Sequence, residues 1–492
     1  MQDLFKLTFQ PIDVIFFNMS DTFSDWQKQN QFLNQEKLKN PALFKRAPIL
    51  DTPEILKIIG IEIFDKNRPA VYLRLWPQDF IVEEISGDGR IHTIDYLENT
   101  SFAESEGQTI YADLAKIGMS TFDVVEEIEK TANIDRKLIG YAGIKDRDAI
   151  TSQWLSFRNT PIDVVKSINS PSFFLKNIYQ GKGAIQVGNL EGNQFTLVLR
   201  GTEDFDSGNI EASIKSYEKD GFWNFFYSQR FGTPRLVSHY LGLLLLKKEY
   251  EQALKVLFTF QSNTEIDYYL NLRKIMSAKW GDWQGIYKLL EPLGYSFRRE
   301  LKILTHLIEK PSDFLGALRL FPDQVQFWIF AYASYLFNRK LSELIKQGKV
   351  PEQLPLLLSR NPNDWAIYKK LTDADGVKMP SPVFRDFPLI QIRDRAINTR
   401  QKFKFHGFKL AAGNPKIGVM SFTLPKGSYA TTLLAHLFTV SSSIPVLPGI
   451  DPDVVDSKKI LGRGSVEPLT VLFKNVINSK LEVKEDNLEE LA

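Results

Sequence analysis

The stretch from Gly140 to Gln153, Gly-Tyr-Ala-Gly-Ile-Lys-Asp-Arg-Asp-Ala-Ile-Thr-Ser-Gln, holds the first candidate for chemistry in this 492-residue chain. Asp146 stands between Lys145 and Arg147, three residues past Gly143. Neighbouring cations favour a carboxylate over its neutral acid, so this Asp is expected to stay ionised. A carboxylate held on a tight turn can attack an electrophilic carbon or steady a developing cation. Taken alone, the same segment also reads as a charged surface turn in which Asp146 bonds its own backbone.

Other chemistries leave little trace. The five histidines, His92, His239, His306, His406 and His436, form no pair at metal-ligand spacing, so no metal site is expected. Zero cysteines exclude disulfides, thiolate nucleophiles, zinc ribbons and iron–sulfur clusters. There is no Walker loop and no G-x-G-x-x-G after a strand, and Gly462-Arg463-Gly464 is too short to count. Composition leaves room for a Ser–His–Asp hydrolase, but no G-x-S-x-G elbow is present.

The elements that must position Asp146 follow from patterning. Val71, Leu73 and Leu75 alternate with Tyr72 and Arg74 as in a strand stopped by Pro77, and Phe80 to Ile85 resumes as a second extended piece. Ser120 is a good N-cap with Asp123 three residues on, and Phe122, Val125 and Ile128 recur at helical spacing. Short strands are expected at Leu138 to Ala142, at Gln153 to Phe157, and where Phe195, Leu197 and Leu199 alternate with polar neighbours. From about residue 236 to 385 the pattern turns helical, with Tyr240 to Phe258 rich in Leu and Lys and Phe327 to Leu344 aromatic. Strand signals return near Phe403 and Val419, followed by a helix from Tyr429 to Leu437, and the charged run Lys480 to Glu490 reads as frayed. The sum is α+β with a largely antiparallel sheet, interrupted by a mostly helical block.

Composition adds bounds. With 43% apolar and 24% charged residues and 36 Phe, the chain reads as ordinary globular protein of roughly two or three domains. A net charge of +2 means that any nucleic-acid surface must come from local clustering. Met1 to Gln10 lacks a signal-peptide pattern, Pro11 to Phe17 is too short to span a bilayer, and no run of about 18 apolar residues occurs. The expectation is a cytoplasmic protein with no membrane association.

Several segments together resemble one family, the TruD pseudouridine synthases. Ala142-Gly143-Ile144-Lys145-Asp146 with Ala149, Thr151 and Gln153 is similar to that family's active-site signature. Asn224-Phe225-Phe226-Tyr227-Ser228-Gln229-Arg230-Phe231-Gly232 resembles its N-Y-F-G-x-Q-R-F-G segment. Arg74 to Glu84 resembles its basic-x-x-P-x-D-F-x-V-x-E start, and Phe422 to Thr431 its F-x-L-P-x-G-S-[YF]-A-T segment. Gly188 to Phe195 and Ala331 to Asn338 match as well, in the family's order across roughly residues 65 to 440. Two positions depart: Ala333 stands where the family usually has Gln, and Tyr227 where it usually has Gly.

The resemblance implies a pseudouridine-synthase catalytic domain over 61–235 and 386–440, a helical TruD-type insertion over 236–385, and extensions at 1–60 and 441–492. It implies Asp146 as the catalytic residue, and Asn224, Phe226, Phe80 and an aromatic of the late segment, Tyr429 or Phe422, around the uracil. Arg74, Lys145, Arg147 and Arg230 would hold the ribose-phosphate backbone in a positive cleft. Phe225, Phe231 and Tyr335 read as core. The implied substrate is transfer RNA, by default the uridine at tRNA position 13, or another RNA, with no cofactor and no metal. The chemistry suits the residues: a glycosidic bond breaks, the base turns, and a carbon–carbon bond forms to the same sugar. A target base must leave its stack, so rings to hold it are expected. A non-catalytic RNA-binding or RNA-folding protein that keeps the cleft is the alternative, and a nucleoside hydrolase or glycosylase releasing uracil is a further one.

Overall fold

The structure is a computed structural model, which describes residues 19–45, 47–64, 67–96, 106–357, 361–377, 383–390, 394–443 and 445–478. Pro11 to Phe17 and the run from Lys480 to Glu490 lie outside the described residues. The chain divides into two compact units. The larger comprises Ala47–His239, Ala331–Ala374 and Ile392–Ala492; the smaller comprises Met1–Arg46, Tyr240–Phe330 and Asp375–Gln391.

The larger unit is built on a ten-stranded sheet. Its strands are β1 (Ala70–Tyr72), β2 (Phe80–Ser86), β3 (Thr109–Ile117), β4 (Ile139–Tyr141), β5 (Ile150–Arg158), β6 (Phe173–Gly181), β7 (Leu190–Gly201), β8 (Lys404–Ala411), β9 (Asn414–Pro425) and β10 (Thr439–Ser441). They run in the order β8-β9-β7-β2-β5-β3-β6, with β1 joining β10 to β7 and β4 paired to β5. Among the described residues only β2 with β5 and β1 with β10 pair in parallel; every other described pairing in the sheet is antiparallel.

Both faces of the sheet's centre are covered, so β2 and β3 are buried along their whole length. Alternation still sorts the side chains. Phe80 and Val82 enter one core with Phe195, Leu197, Met420 and Phe422, closed by Ile210, Ile214, Leu433 and Leu434 from two helices. Ile81 turns the other way, to Ile117, Ile150, Leu469 and Phe473. The helix Thr121–Ala132 packs Val124, Val125 and Ile128 against Leu114, Leu155 and Phe157 of the sheet. It starts where Ser120 and Asp123 predict, with a capping box in which each side chain bonds the other's backbone N–H.

The strand expected through Leu75 stops at Tyr72. Arg74 has φ +64°, a left-handed conformation that a pleated strand does not accept.

The smaller unit is helical. It includes Met19–Lys39, Tyr250–Thr259, Asp267–Ala278, Trp283–Leu290 and Gly294–Glu309. The Leu- and Lys-rich run after Tyr240 forms two helices, because Lys248, at φ +60°, turns the chain after Leu246. Gln29 on the helix Met19–Lys39 exchanges two 2.8 Å hydrogen bonds with Ser296, and Phe44 stacks on Tyr268 at 4.8 Å, so both pack within this helical unit.

Candidate active site

Asp146 lies in the loop from β4 to β5, and that loop is fixed almost entirely by buried polar atoms. The Lys145 N–H donates to Thr121 Oγ1 at 2.9 Å, and the Thr121 hydroxyl donates to Gln153 Oε1 at 2.8 Å. The Gln153 amide returns to the Gly143 carbonyl at 3.0 Å. Thr121 and Gln153 are fully buried, so no water competes for these bonds. Lys116, also fully buried, donates to the carbonyls of Asp146 at 2.7 Å and Met119 at 2.6 Å. The Lys145 ammonium is ion-paired with the buried Glu84 of β2, whose other oxygen accepts the Trp154 N–H at 3.2 Å. Lys145 is 5% exposed, which commits its charge to the interior.

The Asp146 side chain, by contrast, is 53% exposed. Arg74 donates to its Oδ2 at 2.8 Å, and among the described residues Oδ1 accepts no hydrogen bond. The Arg74 guanidinium carbon sits 4.0 Å from the centroid of the Phe80 ring, so one side chain is stacked below and paired ahead. Arg147 reaches Asp123 at 2.9 Å and stays 57% exposed. Burial pushes the Asp123 carboxyl up, but Ser120 and Arg147 more than reverse this and hold it below the ordinary range.

A second group forms a cavity of about 220 Å³ lined by Asn224, Phe226, Asn398, Gln401, Gly427 and Tyr429, among others. The Asn224 amide donates to the Asn398 carbonyl at 2.9 Å. Phe226 is clamped by the fully buried Asn338, whose Oδ1 accepts the Phe226 N–H at 2.9 Å and whose amide donates to the Phe226 carbonyl at 2.8 Å. The same amide bonds the Ile59 carbonyl at 2.8 Å. The Phe226 ring meets Phe337 edge-on at 5.4 Å and carries the Arg230 guanidinium 5.5 Å from its centroid. Burial and the nearby Arg395 hold the Arg230 guanidinium below its usual pKa, with Tyr429 opposing. Tyr429 itself, just before the helix Ala430–Ala435, is 44% exposed.

The structure therefore brings Asn224, Phe226, Arg230 and Tyr429 into one place, and Arg74, Phe80, Lys145, Asp146 and Arg147 into another. One core supports both, since Phe80 and Ala430 belong to the same buried cluster. Phe422 lies inside that core, fully buried and stacked on Phe195 at 5.3 Å, while Tyr429 faces the cavity. Phe225 and Phe231 are buried as core residues. Thr121, Lys116, Glu84 and Asn338 carry no signal of their own in the sequence, although Glu84 and Asn338 each close a segment that resembles the family's.

A Ser–His–Asp arrangement does occur. His92 Nε2 lies 3.0 Å from Ser86 Oγ, and its Nδ1 lies 2.5 Å from Asp113 Oδ1. Ser86, His92 and Asp113 are 1%, 0% and 3% exposed, so no substrate carbonyl can reach the serine. Burial raises the Asp113 carboxyl, yet His92, Arg90 and Asn177 together hold it below the ordinary range. Among the described residues no group of three or more His, Cys, Asp or Glu could hold a metal ion. No described helix is long and apolar enough to cross a membrane.

The model of the family tRNA pseudouridine synthase D (TruD) matches residues 59–356, more than half of the chain. The chain belongs to the TruD family. Arg74, Asp146 and Asn224 fall inside the matched span, and Tyr429 lies beyond it. A relative from Methanocaldococcus jannaschii named "Probable tRNA pseudouridine synthase D 2" is 31% identical, over 61% of this chain and 67% of its own length. The "tRNA pseudouridine synthase D" of Aquifex aeolicus is 27% identical over 74% of this chain and 96% of its own. The crystal structure of the "Putative tRNA pseudouridine synthase D (TruD)" from Methanosarcina mazei shares the fold, with a TM-score of 0.64 at 23% identity over 79% of this chain and 98% of that one.

Proposed function

We propose that this TruD-family chain isomerises a uridine of transfer RNA to pseudouridine with Asp146 as its nucleophile, by default at tRNA position 13. Family membership carries the reaction class, an intramolecular transfer on tRNA. The observation that carries the residue is the contrast at one loop. Its anchors Thr121, Lys145 and Gln153 are buried while the Asp146 carboxylate stands half-exposed with Arg74 on one oxygen. A carboxylate aimed by a guanidinium leaves its second oxygen for a carbon centre or for an oxocarbenium-like sugar.

In the reaction the bond from the ribose carbon to N1 breaks, the uracil turns, and the same carbon bonds C5. N1 gains a proton and C5 loses one, so the step balances without oxidant or reductant. Asn224 supplies a side-chain amide to the base edge, and Phe226 and Tyr429 supply rings to hold it once extruded. Arg147 and Arg230 fit the ribose-phosphate backbone. Lys145 fits a positioning role, since its ammonium is engaged by Glu84. A cytoplasmic setting agrees with the substrate and with a chain free of cysteine.

The test is Asp146→Ala, followed by carbodiimide-based mapping of pseudouridines in RNA from cells carrying only that variant. The expected outcome is loss of one tRNA pseudouridine, a purified variant that still binds tRNA, and activity down by at least about a thousandfold. Unchanged modification would overturn the assignment of Asp146 and favour an RNA-binding role. Release of free uracil by the unaltered chain would favour a glycosylase.

A further inference from the structure

The cavity holding Asn224, Phe226 and Tyr429 has a neighbour. A second cavity of about 580 Å³ shares Asn398 with it as a lining residue. Between the two runs a small ribbon in which Phe222–Trp223 pairs with Arg400–Gln401, Arg400 directly opposite Trp223. Successive residues of an extended chain face opposite ways, and the linings divide accordingly. Trp223 and Arg400 line the larger cavity, Asn224 and Gln401 the smaller.

The Arg400 guanidinium carbon lies 3.7 Å from the centroid of the Trp223 ring. One Arg400 nitrogen donates to the Gly221 carbonyl at 2.8 Å, and the Trp223 N–H donates to His436 Nε2 at 3.1 Å. The stacked pair is thus held from both strands. Asp220 and Glu352 line the same cavity beside Arg400 and Lys402, so its charges balance and a bare phosphate gains little there. A flat, neutral heteroaromatic ring suits it better, because a nucleobase stacks on either an indole or a guanidinium plane.

We propose that this cavity receives the base of a nucleotide next to the target uridine, stacked on the Arg400–Trp223 pair. Single-stranded RNA is read by splaying neighbouring bases into separate pockets, and two cavities separated by a thin ribbon suit that geometry. The volume lies within the range of small-ligand pockets. The inference rests on reading the smaller cavity as the uridine's own site. It assigns Trp223 and Arg400 to substrate choice, a role distinct from the isomerisation.

The probe is a tRNA transcript carrying 2-aminopurine beside the uridine at position 13, mixed with the full chain. Stacking quenches that fluorophore. Quenching is expected with the unaltered chain and equally with Asp146→Asn, but not with Trp223→Leu, and Trp223→Phe should keep most of it. Trp223→Leu should raise KM for the tRNA about tenfold while kcat stays within about twofold. If Trp223→Leu melts early, Arg400→Met gives the same readout with the ring in place. Quenching that survives both changes, or is equal wherever 2-aminopurine is placed, overturns the proposal. Equal quenching of free 2-aminopurine riboside also overturns it, because the site would then take a free nucleoside. Pseudouridine formation without Trp223-dependent quenching sinks this inference alone. Quenching without pseudouridine sinks the catalytic reading and leaves the subsite standing.

Discussion

The Asp146 loop and the Trp223–Asn224 ribbon belong to the same unit and hold their exposed side chains in different ways. Around Asp146 the fixing is done by buried side chains: Thr121, Gln153, Lys116 and the Lys145–Glu84 pair grip the loop at four places. In the ribbon, backbone groups carry most of the load, through the pairing of Trp223 with Arg400 and the bond from Asn224 N to Thr399 O at 3.0 Å, with one buried side chain, His436, accepting the Trp223 backbone N–H. A group that attacks a carbon must be placed to a fraction of an ångström, and buried polar atoms can do that because leaving any of them unmade is costly. Groups that recognise a base need open side chains, and backbone pairing leaves them open.

The sharpest way to break this comparison is Lys145→Ala. Glu84 is fully buried, and removing its cation leaves a carboxylate in the interior with little besides the Trp154 N–H. The expected loss of stability is about 3 to 5 kcal/mol, read as a fall in melting temperature. Asn224→Ala, at the ribbon, should cost less than about 1 kcal/mol. Equal melting of the two variants would mean that the loop is not held from within.

Acid sharpens the ribbon's side of the contrast. Burial pushes the His436 imidazole down from its ordinary 6.5 to about 4, although its bond to Thr432 opposes this. The folded state then binds fewer protons than the unfolded one, so stability is present above pH 6.5 and is lost as pH falls toward 4. The loss attributable to His436 reaches roughly 3 kcal/mol once both states are protonated. Burial moves His239 in the same direction, also to about 4. Melting curves between pH 7 and 4 should fall less steeply for His436→Gln, whose side-chain oxygen can still accept the Trp223 N–H. An unchanged slope in that variant would remove His436 from the account.

These two regions also differ in how far the sequence discloses them. Asp146, Lys145 and Gln153 fall within one short window, and the Ser120–Asp123 cap is a local signal, so the loop and its helix are legible from spacing. The alternation of Phe80 with Ile81 and of Leu155 with its neighbours fixes which side chains enter which core. Long-range pairing is not written in spacing. Arg400 opposite Trp223, Asn398 under Asn224, and Asn338 around Phe226 all depend on strands and a helix far apart in the chain. Phe422 and Tyr429 look interchangeable in sequence, and only β9 ending at Pro425 buries the first and frees the second. The left-handed turn at Arg74 is hidden for a similar reason, because the hydrophobic alternation around it continues undisturbed.

That turn supports the last and smallest test. A non-glycine residue at φ +64° costs on the order of 1 kcal/mol, and such residues persist where the surroundings require them. Here the requirement is visible: the left-handed turn lets one guanidinium lie over Phe80 and still reach Asp146. Arg74→Gly should relieve the backbone and leave stability within about 1 kcal/mol of the unaltered chain, since relief offsets the lost stacking. Activity should nevertheless fall about 10- to 100-fold, chiefly in kcat, because the carboxylate loses its aim rather than its substrate. Arg74→Lys keeps the charge but not the planar fork, and should recover only part of that loss. If Arg74→Gly lowered stability by several kcal/mol and left kcat alone, the pair would be a structural tie. The Asp146 loop would then need no partner outside its own buried anchors.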